Sequence, residues 1–472
     1  MSDDARPSGE PPVSPSHAGP EHADAPGFDR EVWGTRLGFI MAAVGSAVGL
    51  GNMWRFPYLT AESGGAGFVV LYIVFILLVG LPVLMAEFSI GRGNRLSPIG
   101  ALRRSGGRGW SGLGYLFVVV GFLILAYYSV IAGWVTRYAL DGIVSGFPED
   151  PGGYFGTVTS GVQPIMYHLV FMTLTIVIVM GGIEKGIERA SLVMMPALFL
   201  LVAGLAAWAF TLEGSGEGYA FYLSPSLDEL FHLETLAHAA GQAFFSLSLG
   251  MGAMLTFSSY LSKKESLPRE GAIIAFADFG VAFLAGLMVF PIIFALGLQG
   301  SMGESTVGAL FISLPGAFIS MGAIGRVVGS LFFVALFVGA ITSAISLLEV
   351  VTSSIIDEWG VSRKSAAVGA GTLIALLGIL PASNIDALGA MDAVASEVFL
   401  PLGGLGMALF VGWRMKDPMA ELLQGSSEAM RPVLTAWLWL LRVLVPIMLG
   451  IVLWQTVPAG WSALRAALGG GS

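Results

Sequence analysis

Five stretches of this chain, Phe68–Glu87, Gly114–Trp134, Leu192–Phe210, Ile273–Leu298 and Trp437–Trp454, are apolar over the length of a bilayer crossing. A helical crossing of hydrocarbon takes about 20 residues. The runs are near-continuous rather than alternating, which selects helices over a closed barrel as the way to satisfy the backbone. Only 12% of residues are charged and 55% are hydrophobic, against roughly one-quarter charged in a soluble protein. The pattern predicts an all-α, polytopic membrane protein of eleven crossings, near 37–60, 67–90, 111–140, 165–182, 190–212, 237–258, 271–298, 326–356, 364–381, 389–413 and 434–457.

Residues 1–29 are rich in Pro, Ser, Asp, Glu and Gly without an apolar face, and read as a disordered tail. They lack the basic start and short apolar core of a cleaved signal peptide. The membrane-spanning domain is expected over 30–460, as a first group of five crossings at 37–212, a second at 237–413 and an extra helix at 434–457. A short tail over 461–472 follows. With the N-terminus in the cytoplasm, most of the 23 basic residues fall on cytoplasmic segments, and the outer loops carry mainly acids. The positive-inside rule then predicts a multi-pass inner (plasma) membrane protein with its C-terminus outside. Cysteine is absent, which excludes disulfide and thiolate chemistry.

Two crossings depart from uniform apolarity. The first contains "GSAVGLGNMWRFP" and the sixth "GQAFFSLSLGMGAMLTFSSY". Small residues alone fit close helix packing, but Asn52 and Ser246 need polar partners at that depth. The first crossing opens one group of five and the sixth opens another. Interrupted spans at matching places in two halves mark an inverted-repeat transporter. Unwinding frees carbonyls that suit a small cation, and N–H groups at a half-helix start attract a carboxylate.

At these residues the chain resembles the neurotransmitter:sodium symporters. "RLGFIMAAVGSAVGLGNMWRFPYLTAESGGAGF" is similar to the family's first-helix signature and "GQAFFSLSLGMGAMLTFSSYL" to its sixth helix. "EFSIGR", "AYYSVIAGW", "FISLPGAF" and "AITSAISLLEV" match in order between Arg30 and Trp413. Eleven crossings, against twelve in many relatives, is similar to a prokaryotic subgroup. The resemblance implies the leucine-transporter fold, with a 5+5 inverted repeat and helices 1 and 6 unwound at mid-membrane.

It also implies two sodium sites. The first would use Ala47, Asn52, Ser246 and a residue of the seventh crossing. Aligning on "AGLMVFP" puts Asp278 there, and a one-residue slip puts Ala277 there instead. An intramembrane carboxylate by default marks function, and its fixed charge would stand in for chloride, so no chloride is expected. The second site would use Gly45, Val48, Gly339, Thr342 and Ser343. Taken without the resemblance, Thr342 and Ser343 read as hydroxyls bonded back to their own helix.

The implied substrate pocket comprises Ser46, Ala47, Gly49, Leu50, Gly51, Ile124, Tyr128, Phe245, Ser246, Ser248, Met251, Ser343 and Leu347. Leu50, Gly51 and Tyr128 would face a carboxylate, and Ala47, Phe245, Ser246 and Ser248 an amine. Gly49 stands where monoamine carriers place an Asp. The rest of the pocket is uncharged and includes an adaptable Met. The expected cargo is therefore a neutral, hydrophobic L-amino acid, up to aromatic in size.

Gates are implied outside at Arg55 and Asp392, and inside at Arg30 with Asp357, flanked by Trp33 and Tyr260. Gly186 and Pro196 match a spacing tied to unwinding of the fifth helix. Glu87 matches a carboxylate buried near the unwound first helix. Glu349 and Glu397 carry no assigned role, with proton counter-transport one option.

Other classes fare worse. The five histidines fall in tails, loops or helix ends, and no phosphate-binding loop occurs. Neither an enzyme, an ATP-driven pump nor a nucleic-acid binder is expected. The alternative is a sensor of the same fold that binds its amino acid without moving it. The partners are the bilayer and a small molecule; the sequence leaves the oligomeric state open.

Overall fold

A computed structural model of the chain describes residues 30–225, 232–297 and 306–467. The expected disordered tail (1–29) lies outside the described residues, as do Leu298 and residues 468–472. The chain divides into two units, 1–30 and 31–472. Only Arg30 of the first is described, and every helix named below belongs to the second.

Nine helices are long and apolar enough to cross a membrane among the described residues. The first crossing is a bent pair, α1 (Arg36–Ala47) and α2 (Gly51–Glu62), meeting at 49°. Then come α3 (Ala66–Asn94), α4 (Arg108–Val144), α5 (Gln163–Met180) and α6 (Ile183–Ala209). The sixth crossing is again two pieces, α7 (Leu233–Ser246) and α8 (Ala253–Ser258). It is followed by α9 (Leu267–Ala295), a shorter loop helix α10 (Leu310–Ser320), α11 (Gly322–Trp359), α12 (Arg363–Ser383), α13 (Ile385–Arg414) and α14 (Glu428–Ser462). Each expected crossing has a counterpart. α6 starts seven residues before the expected 190, and the last helix runs on to Ala467, so the expected tail at 461 begins as helix. His168 lies within α5 and is fully buried, rather than at a watery helix end.

Burial ranks the helices. The most apolar windows of α4 and α11 are 72% and 78% buried, against 33% for α5, α6 and α14. α4 and α11 therefore form the interior wall, and the other three face lipid.

The breaks have local causes. α1 ends where Val48 turns extended, because the backbone there must run close to α11: a Cβ on Gly49 would stand 2.4 Å from Ser343 Oγ. In the sixth crossing Ser248, Gly250 and Gly252 all have positive φ, a region open mainly to glycine. A Cβ on Gly250 would lie 2.2 Å from the Leu400 carbonyl oxygen. The freed N–H groups are met by Glu87 of α3, which accepts from Gly250 N at 2.8 Å and Leu255 N at 3.3 Å. Glu87, expected as a buried carboxylate near the unwound first helix, directs its bonds to the sixth-crossing break, because α3 packs its inner half against α8.

Replacing Glu87 with Ala strands two buried donors, at about 1–3 kcal/mol each. Glu87→Ala is expected to lower the thermal midpoint in detergent clearly, and Glu87→Gln, which keeps one acceptor, by less. Equal melting of all three proteins would refute this role.

Candidate functional site

Both breaks lie against α4, α9 and α11. Where α2 meets α7 and α9, Asn52, Ser246 and Asp278 form one buried cluster. Asn52 Nδ2 donates to Asp278 Oδ1 at 2.7 Å and to Ser246 Oγ at 3.0 Å. Ser246 Oγ donates to the Asp278 carboxylate at 2.8 Å. All three are at most 1% exposed. Of the two sequence alternatives, it is Asp278 and not Ala277 that joins Asn52 and Ser246. Two partners were missed: Tyr72 of α3 donates to Ser246 Oγ at 2.8 Å and to Asp278 Oδ2 at 3.3 Å, and Gln242 Nε2 donates to the Gly51 carbonyl at 3.0 Å. Their signal was a hydroxyl and an amide inside otherwise apolar spans. Several neutral oxygens and one carboxylate in a closed site suit a small monovalent cation.

The second expected ion site is assembled where α1 crosses α11. A Cβ on Gly45 would stand 3.0 Å from Thr342 Cβ, and one on Gly339 3.7 Å from the Val48 carbonyl oxygen. Ser343 Oγ reaches across to the carbonyls of Gly45 and Ser46, at 3.4 and 3.3 Å. Thr342 Oγ1 bonds instead to Val338 and Gly339 of its own helix. The back-bonding reading therefore describes Thr342 as it stands, and not Ser343.

Between the two breaks lies a small pocket. Every expected substrate residue except Ser246 lines it; Ser246 turns to Asp278. No lining side chain carries a formal charge. Leu50 N donates to Tyr128 Oη at 3.4 Å. Ser248 Oγ donates to the Ser46 carbonyl at 2.7 Å, so this hydroxyl ties one break to the other. Ser46 Oγ donates to Ser346 Oγ at 2.8 Å, a partner missed in the sequence.

Outside this pocket, Arg55 and Asp392 line a vestibule of about 1240 Å³ with Glu62, His238 and Glu397. They form no direct ion pair among the described residues; the Arg55 guanidinium lies over the Phe245 ring, 4.9 Å from its centroid. On the opposite side the packing is dense. Trp33 Nε1 donates to the Phe257 carbonyl at 2.9 Å, and its ring meets Tyr260 edge-on. Tyr260 Oη donates to Glu349 at 2.6 Å, and Arg363 grips the same carboxylate with two bonds of 2.7 and 3.0 Å. Glu349, left open by the sequence, is thus the hub of the inner closure. Asp357 accepts from Ser97 N at 2.6 Å. The Gly186–Pro196 stretch is helical throughout, with a wide turn over Ile183–Glu188; the unwinding tied to that spacing is not seen in this structure.

Two broken spans enclosing one uncharged pocket, flanked by buried polar clusters and closed on one side only, define a secondary membrane carrier. Similarity to known proteins agrees. Residues 30–150 and 158–458 match the sodium:neurotransmitter symporter family. An uncharacterised sodium-dependent transporter of Bacillus subtilis (strain 168), YhdH, is 37% identical over 442 residues, 89% of this chain and 96% of that one. A mouse (Mus musculus) sodium-dependent neutral amino acid transporter is 30% identical over 298 residues, 56% of this chain and 41% of its own. The crystal structure of MhsT in complex with L-phenylalanine superposes with a TM-score of 0.82 at 41% identity, covering 90% of this chain and all of that one. The chain belongs to the sodium:neurotransmitter symporter family, and is a sodium-dependent symporter with the leucine-transporter fold.

Gly49→Ala is expected to weaken amino-acid binding about tenfold, through overpacking against Ser343 and Tyr128. Gly49→Ala/Ser343→Gly should recover part of the loss. Equilibrium binding of labelled amino acid to purified protein checks both.

Proposed function

We propose that the protein imports a neutral, hydrophobic L-amino acid, up to aromatic in size, with sodium and without chloride. The observation that carries this reading is the pocket: lined without formal charge and set between the two breaks. The substrate carboxylate meets the N–H groups of Leu50 and Gly51 and the Tyr128 hydroxyl. The amine meets carbonyls of Ala47, Phe245 and Ser246, with Ser248 beside them. Gly49 supplies no carboxylate, so a cargo lacking its own acid group is disfavoured. The printed ligand of MhsT and the neutral amino acids of the mouse relative support this class.

One sodium ion is held by Ala47, Asn52, Ser246 and Asp278, whose charge replaces chloride. A second is held by Gly45, Val48, Gly339, Thr342 and Ser343, which requires the Thr342 hydroxyl to swing from its own helix. Arg55 moves from Phe245 to Asp392 as the outer side closes. Exposed pairs worth about 0–1 kcal/mol suit gates that break every cycle. Unwinding of α6 between Gly186 and Pro196 opens a water path to the second sodium. The N-terminus is cytoplasmic and the C-terminus external, in the inner (plasma) membrane.

In proteoliposomes, an inward sodium gradient is expected to accumulate labelled L-phenylalanine or L-leucine above equilibrium, equally in chloride and gluconate. Binding without accumulation would favour the sensor alternative, and failure of both amino acids to bind would refute the substrate class. Asp278→Ala is expected to abolish sodium-stimulated binding; unchanged sodium dependence would remove Asp278 from the ligand set. Pro196→Ala should slow sodium release, measured by stopped-flow after dilution, while leaving substrate affinity within about twofold.

A further inference from the structure

Tyr127, Tyr128 and Ser129 are consecutive on α4, yet their hydroxyls meet three different parts of the molecule. Tyr127 shares a 2.7 Å hydrogen bond with Ser396 of α13. Tyr128 accepts from Leu50 N at the first break. Ser129 Oγ lies 2.9 Å from Nδ1 of His168 on α5, and His168 Nε2 lies 2.9 Å from the Ala375 carbonyl oxygen on α12. The imidazole is fully buried and bridges three helices.

The hydrogen-bond inventory fixes its form. A carbonyl only accepts, so the nitrogen facing Ala375 must carry the proton. In the neutral ring Nδ1 is then an acceptor, and the Ser129 hydroxyl faces it at 2.9 Å while also donating to the carbonyls of Leu125 at 2.7 Å and Ala126 at 3.2 Å on its own helix, so its proton is shared between the ring and α4. Both partners are neutral, and an unpaired buried charge is costly, so the ring is uncharged. The backbone is cut to fit it. A Cβ on Gly378 of α12 would stand 2.4 Å from the imidazole Cε1, and one on Gly133 of α4 would stand 2.8 Å from His168 N.

The consequence for Tyr128 is one of leverage. Its hydroxyl stands about 9 Å from the helix axis, counting a Cα radius of about 2.3 Å and the side-chain length. A rotation of α4 by about 10° then carries it about 1.5 Å, beyond the roughly 0.5 Å window of a hydrogen bond. At 3.4 Å the contact to Leu50 N already sits at the edge of that window.

We propose that His168, neutral and protonated at Nε2, is a positioning residue: through Ser129 it fixes the rotation of α4 and so holds the Tyr128 hydroxyl at the substrate carboxylate. The inference rests on the proposed contact between Tyr128 and that carboxylate. The test is sodium-stimulated binding of labelled L-phenylalanine to the full-length protein, with transport measured alongside. Ser129→Ala and His168→Phe are each expected to raise the dissociation constant roughly three- to tenfold, the range of one or two neutral hydrogen bonds, with the maximal transport rate little changed. In a Tyr128→Phe background neither should weaken binding further. Additive losses in that background would overturn the positioning role. Tyr128→Phe without effect would instead overturn the carboxylate contact beneath it. Ser129→Ala removes a single hydroxyl and carries the test if His168→Phe does not fold. ¹⁵N-histidine spectra should show His168 protonated at Nε2 alone between pH 6 and 8; titration within that range would also overturn the proposal.

Discussion

Breaking a helix inside hydrocarbon leaves N–H and C=O groups that have no water to turn to, and the rest of this structure is organised around answering that problem. The two breaks answer it partly for each other, through Ser248 on the Ser46 carbonyl and Gln242 on the Gly51 carbonyl. Unbroken neighbours supply the remainder: Glu87 from α3, Tyr128 from α4 and Ser343 from α11. The pocket lies between the two breaks, where these partners converge.

Burial then separates the tighter closure from the looser one. The inner side is sealed by a fully buried carboxylate, Glu349, held by Arg363 and Tyr260. Removing one partner of a buried pair leaves an uncompensated charge, a cost of about 3–5 kcal/mol. The outer side has only Arg55 resting on an aromatic face, worth about 0.5–2 kcal/mol. The asymmetry describes a carrier with its vestibule open and its opposite side closed.

Much of this is legible in the sequence, for reasons of chemistry. Apolar length marks the crossings, and glycines beside Asn52 and Ser246 mark the breaks, because such residues are expensive in hydrocarbon unless they are used. The pocket follows from motif order, and Asp278 from being the one ionisable group in its span. What escapes are partners whose meaning depends on which helices touch. Tyr72, Gln242 and Ser346 look like ordinary residues until α3, α7 and α11 converge on the breaks. Glu87 is legible as support for the site, but that its bonds go to the sixth crossing is not, because a sequence does not say against which neighbour a helix face lies. The Thr342 hydroxyl rests on its own helix, the alternative that the residues alone offer.

The two bonds from Glu87 to Gly250 and Leu255 tie the inner half of the sixth crossing to α3. That half is six residues of helix, Ala253–Ser258, too short to hold its own shape in isolation. It borrows rigidity from α3, so it cannot swing or fray alone. Opening the closed side must carry α3 with it, and the moving part of this carrier is a packed block rather than a hinged flap.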